Sequence, residues 1–205
     1  MNLVLSRAIV VAKYKEDISW LSKLPPEIKV YVYDSSPGGN LQDLKRERHE
    51  PYTYFTHMID HYDELDDLTV FCQGSPFDSV SEQEFMRVTL NCTQPYMSIG
   101  KFRTPSALAD EDVSLGYLPI SKTLTKFFGI PHKTTVSWTH GAEFLVAKER
   151  ILQYSKQTLI RARQHTLDVE PLWGERHIFE RMWDTIFGYE WHKHKWGIEN
   201  NGTEK

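Results

Sequence analysis

Four short stretches of the chain gather side chains that can do chemistry. Lys13, Tyr14 and Lys15 offer two cations and a phenol, and Asp34, Ser35 and Ser36 offer a carboxylate and two hydroxyls. Gln73, Gly74, Ser75 and Asp78 add an amide, a glycine open to close backbone approach, a hydroxyl and a second carboxylate. His140 and Glu143 stand together around Gly141 and Ala142. Cations meet phosphate, hydroxyls and a carboxylate meet ribose or a base, and a strand-end acid holds a divalent cation or takes a proton. This is a kit for a nucleoside diphosphate. The chain has no GxxxxGK[ST] loop and no GxGxxG fingerprint, so neither a P-loop ATPase nor a dinucleotide-dependent dehydrogenase is supported.

The elements that must position these residues follow from hydrophobic patterning. Ala8 to Ala12 is a continuous, mostly β-branched run of strand length that opens into the polar residues 13–17. Asp17 is placed to cap a short helix with Ile18, Trp20 and Leu21, which Pro25 and Pro26 end. A second strand covers Ile28 to Tyr33, and the turn residues from Asp34 to Asn40 take the chain off the sheet. Tyr54, Phe55, Met58, Ile59, Tyr62 and Leu65 recur at helical spacing, and a third strand, Leu68 to Cys72, ends near Gln73. Strand, helix, strand, helix, strand predicts a parallel sheet with helices on both faces, its strands ending on one edge. Ligands of such sheets bind beyond that edge, and Ala12 through Tyr14, Asp34 with Ser35, and Gln73 through Ser75 are its candidate ligand residues.

Loops and short helices are expected from Tyr96 to Pro131, two strands at Thr134 to Trp138 and Phe144 to Val146, a long helix from Lys148 to about His165, and a last helix over Arg176 to Phe187. The expected architecture is α/β, a single domain over residues 1–198, with a polar tail at 199–205 that either frays or links to a further domain.

Composition narrows the function. At 205 residues the chain is one ordinary domain, and its net charge of -4 argues against a nucleic-acid coat, which needs surplus Lys and Arg. Two cysteines, Cys72 and Cys92, are too few for a disulfide scaffold, so a reducing compartment, the cytoplasm, is expected. No apolar run reaches the roughly 18 residues of a membrane span, and residues 1–11 do not read as a secretion signal. The Asn91 and Asn201 glycosylation matches are read as chance.

Residues 9–17 with Trp20 and Leu21, then Glu50, Thr53, Tyr54 and His57, then Val70 to Pro76, resemble a family of small GT-A-type glycosyltransferases of fungi and large algal viruses, among them enzymes that build the glycan of a viral capsid protein. The resemblance covers about the first eighty residues well and the rest loosely. It implies a GT-A fold with a mostly parallel, mixed, Rossmann-related sheet, a UDP-sugar donor, a glycan or glycoprotein acceptor, Mn2+ or Mg2+, and host cytoplasm as the setting. His140 to Val146 is similar to the Gly-Ala-x-Phe segment that walls the sugar and acceptor site in such enzymes. Their Asp-x-Asp is missing at the end of the third strand. Asp78 is the candidate for its role, as metal ligand, catalytic base, or both.

Each candidate has a plainer reading beside it. Asp78 also suits a cap of the following helix, and Asp34 suits an ordinary turn. Glu143 and His140 are expected to border sugar and acceptor, Glu143 as an alternative base. Trp138 either stacks on a sugar or is core. Asp110 to Asp112 is a literal Asp-x-Asp in an uncommitted region, Asp63 to Asp67 falls at the wrong edge of the sheet, and His192 and His194 lack a third ligand. Phe179, Trp183 and Phe187 have core spacing. Beside a transferase stand two rivals: a nucleotide-sugar-binding module without catalysis, and a metal-dependent sugar-nucleotide hydrolase.

Overall fold

The computed structural model describes residues 5–41, 50–100, 103–108, 119–131, 135–168 and 178–188. Asp110 to Asp112, His192, His194, Asn201 and the tail at 199–205 lie outside them.

Strand β1 (Arg7–Lys13) leads through a 3-10 helix (Ser19–Lys23) to β2 (Lys29–Asp34), helix α1 (Glu50–Asp60) lies between β2 and β3 (Leu68–Gln73), and α2 (Glu82–Asn91) leads to β4 (Tyr96–Ser98). Next come β5 (Arg103–Leu108), α3 (Ile120–Thr123) with a π-helical turn at Leu124–Phe128, β6 (Thr135–Thr139) and β7 (Phe144–Ala147). Helices α4 (Lys148–Leu152), α5 (Lys156–Asp168) and α6 (Trp183–Phe187) follow. The central sheet has the order β2-β1-β3-β7-β4, and β5 with β6 forms a separate two-stranded sheet. β1 runs parallel to β2 and β3, while β7 is antiparallel to both β3 and β4. The protein is thus α/β, with a mixed, mostly parallel sheet flanked by helices. Among the described residues no helix is long and apolar enough to cross a membrane.

The two faces of the sheet explain the layers. Val10, Phe71, Phe144 and Val146 face Tyr54, Phe55 and Met58 of α1 together with Phe179, Trp183 and Phe187. Ile9, Val11, Val70, Cys72 and Leu145 face Trp20, Val80, Phe85 and Val88 on the other side. A strand buried on both faces reads as an unbroken apolar run, which is the pattern of β1 and β3. Cys72 and Cys92 are both buried and free.

Several expectations change. The region from Tyr96 to Pro131 contains strands β4 and β5, not only loops and short helices. The long helix after Lys148 is broken between α4 and α5. There Tyr154 turns inward, its hydroxyl donating to the Ile186 carbonyl at 2.8 Å, and Ser155 Oγ caps the new helix by accepting from Thr158 N at 3.2 Å. The last helix begins only at Trp183, after turns from Ile178. Of the two strands expected after Pro131, β6 pairs with β5 in the small sheet and β7 joins the central one. Trp138 is core at 2% exposure, with the Arg181 guanidinium 4.9 Å above its ring.

Candidate functional site

Register places the expected ligand residues in one row. Ala12 is level with Gln73 across β1 and β3, and Lys13 is level with Asp34 across β1 and β2. Because β7 is antiparallel, it starts where β3 ends. Phe144 pairs with Phe71, so Glu143 emerges on the same edge as Gln73. The acidic residues Asp66 and Asp67 lie at the opposite edge, tied to Lys29 at 2.8 Å and to Lys148 at 2.6 Å.

Much of this edge is held by internal bonds. Lys13 Nζ pairs with Asp34 Oδ2, and Ser36 Oγ and N donate to Asp34 Oδ1 at 2.5 and 2.9 Å. Burial raises the Asp34 pKa, but the bonds from Lys13 and Ser36 outweigh it and leave the net shift downward. Ser35 Oγ donates to the Lys13 carbonyl at 3.2 Å. The Tyr14 and Lys15 amides both donate to Glu16 Oε2, at 2.7 and 3.1 Å. That carboxylate takes the space beside Gly74, where a Cβ would lie 2.8 Å from it, and the Gly74 carbonyl accepts from Trp20 Nε1 at 2.9 Å. The close approach that Gly74 permits is therefore made by Glu16.

Ser75 precedes a 3-10 turn, Pro76–Asp78, in which Asp78 is exposed. Its carboxylate has no hydrogen-bond partner among the described residues. The cap of α2 is Ser81, which accepts from Glu84 N at 3.3 Å, so Asp78 is free of the capping role.

Glu143 is the unusual group. It is 2% exposed, its Oε2 accepts from Ser79 Oγ at 2.8 Å, and its Oε1 is buried with no hydrogen-bond partner among the described residues. Burial raises its pKa to about 7; the Ser79 bond and its own backbone N–H pull the other way, and the negative charges of Glu50 and Glu180 add to the rise. Gly141 closes over it with φ of 111°, and a Cβ there would run into Glu143 Oε2 and stand 3.0 Å from Ser79 Oγ. The Gly141 amide donates to Glu180 Oε1 at 3.2 Å. Two further buried groups share this surrounding. The Cys72 thiol is raised well above its usual range by burial and by Glu143, and the Tyr54 hydroxyl by burial and then by Glu50 and Glu143. His140 is exposed, its ring 6.2 Å from Trp138.

The fold thus brings Asp78, through its neighbour Ser79, to Glu143, and aligns Lys13, Asp34 and Gln73 beyond the adjoining strands. Sequence reasoning missed Ser79 and Glu180. The first had a signal in its position after Asp78, whereas Glu180 comes from a distant turn with no local sign. His57, which entered only as part of the resemblance, is buried at 2%, and its Nδ1 lies 3.2 Å from the Tyr33 hydroxyl. Among the described residues no three His, Cys, Asp or Glu side chains form a group that could hold a metal ion.

A family model described as "Protein of unknown function (DUF3431)" matches residues 9–91, which carry β1 to α2 with Lys13, Asp34, Gln73 and Asp78 but not Glu143. No curated protein and no solved structure matches the chain.

Proposed function

We propose that this chain is a GT-A-type glycosyltransferase domain that moves a sugar from a nucleoside-diphosphate sugar, with UDP as nucleotide, to a hydroxyl of a glycan or glycoprotein, as in viral capsid glycosylation. The observation that carries the reading is Glu143, a buried acid raised to about 7 on the edge where the ligand loops converge. A base of that pKa accepts a proton at neutral pH and returns it readily. In a single displacement the acceptor hydroxyl gives its proton to Glu143 Oε1 while its oxygen bonds to the anomeric carbon. The bond from that carbon to the diphosphate oxygen breaks, and its electron pair leaves with the nucleotide.

Ala12, Lys13, Tyr14, Asp34, Ser35, Gln73, Gly74 and Ser75 would line the donor side, where phosphate competes with Asp34 for Lys13. His140 borders the acceptor. Asp78 would meet the Mn2+ or Mg2+ on which this reading depends, and the ion would neutralise charge on the departing diphosphate. Glu143 lies under Gly141, so an acceptor reaches it only when that turn lifts. This closure also favours a second reading, a nucleotide-sugar-binding module without transfer.

Calorimetric titration of UDP and of UDP-, GDP- and dTDP-sugars, with and without manganese, tests the donor site on the parent chain, Asp78→Ala and Glu143→Gln. Binding of a UDP-sugar that survives Glu143→Gln, with transfer reduced at least about 100-fold, is the expected result. Binding without turnover in the parent supports the module instead. If no nucleotide binds under any condition, both readings fail.

A further inference from the structure

Ser79 carries one hydroxyl hydrogen and has two acceptors within reach. Glu143 Oε2 is at 2.8 Å, across a sequence separation of 64, and the Pro76 carbonyl of its own turn is at 3.2 Å. Gly141 packs against the contact, since a Cβ there would collide with Glu143 Oε2 and stand 3.0 Å from Ser79 Oγ. With Oε2 taken, the carboxylate oxygen left without a partner among the described residues is Oε1. A buried acceptor without a partner costs free energy, so such a group calls for a physical reason.

We propose that Ser79 is the positioning residue of Glu143: by holding Oε2 it presents Oε1 as the oxygen that receives the proton, and it passes the protonation state of Glu143 to the turn that carries Asp78. The inference rests on the acid–base reading of Glu143 given above. While Glu143 is ionised, its charge strengthens the bond from Ser79 and keeps the hydrogen on Oε2. When a proton reaches Oε1 the carboxyl becomes neutral and the Ser79 bond weakens. The Pro76 carbonyl then competes for the same hydrogen and draws the Pro76–Asp78 turn toward Ser79. The charged groups acting on Glu143 are Glu50 of α1 and Glu180 of the turn before α6, while Tyr54 of α1 and Cys72 of β3 face it as neutral groups that its charge raises further. None of them belongs to the turn that Ser79 occupies.

The experiment follows the Glu143 carboxyl carbon by 13C NMR against pH in the parent chain, Ser79→Ala and Ser79→Thr, alongside the pH profile of sugar transfer. Losing a donor to the ionised form is expected to raise the Glu143 midpoint in Ser79→Ala by about one pH unit, with the rising limb of the activity profile moving equally. Ser79→Thr, which keeps the hydroxyl, is expected to restore both. An unchanged midpoint in folded Ser79→Ala overturns the proposal. Absence of transfer by the parent at every pH sinks the transferase reading instead, and the carbon titration still decides whether Ser79 sets the Glu143 proton.

Discussion

Glu143 and His57 titrate in opposite senses. Glu143 holds its proton up to about pH 7 in the fold against 4.5 as its ordinary value, so its neutral form stabilises the protein fully below pH 4.5, and that contribution is lost as pH rises through 7. His57 is lowered to about 3 by burial and by the neighbouring His61, so its contribution is present above 6.5 and lost as pH falls toward 3. Between about pH 4.5 and 6.5 the two slopes offset each other. Replacing Glu143 by Gln removes one of them. Urea unfolding of Glu143→Gln is expected to match the parent near pH 4 and to show greater stability at pH 8, by up to about 3 kcal/mol. Equal stabilities at pH 8 would mean that Glu143 ionises in the fold without cost. A more stable but inactive variant would also indicate that the site is held under strain for function.

At the scale of elements, the turn from Gln73 to Ser81 divides its work. Ser81 caps α2 and Asp78 does not, so Ser81→Ala is expected to lower stability by about 1 kcal/mol and Asp78→Ala to change it by less than about 0.5 kcal/mol, as read from thermal midpoints. The reverse order would return Asp78 to a structural role. The same stretch marks how far sequence reading reached. β1, β2 and β3 were legible because each is a short apolar run closed by turn residues, and their order then fixes which loops meet. Strand β4 is three residues of intermediate burial, Tyr96–Ser98, too short to carry a period. The break after α4 was hidden because Tyr154 and Ser155 are both compatible with a helix. What breaks it is the Ile186 carbonyl, supplied from residues 32 positions away. Glu143 was legible as a candidate, but its burial and its bond to Ser79 arise only when β7 inserts beside β3.

For the whole molecule, the insertion of β7 makes the two halves of the chain interdependent. The family match ends at residue 91, yet β3 is paired on one side by β1 and on the other by β7. The aromatic stack through Phe71, Phe144, Trp183 and Phe187 likewise draws from both halves, with Trp183 and Phe187 rings 5.8 Å apart and 9° from parallel. Residues 5–91 produced alone are therefore expected not to fold, giving a collapsed amide proton spectrum where the full chain gives a dispersed one. A folded fragment would show that the parallel half is a domain by itself.

The antiparallel seat of β7 has a consequence for synthesis. As the ribosome extends the chain, β3 emerges early with Leu68, Val70, Phe71 and Cys72, all destined for burial, and its outer edge waits for partner residues 144–147. During that interval the nascent chain presents an unpaired apolar strand edge, the kind of surface that pairs with other chains. Slow translation between residues 91 and 147 would lengthen this exposure, and a chaperone that shields strand edges would matter most there.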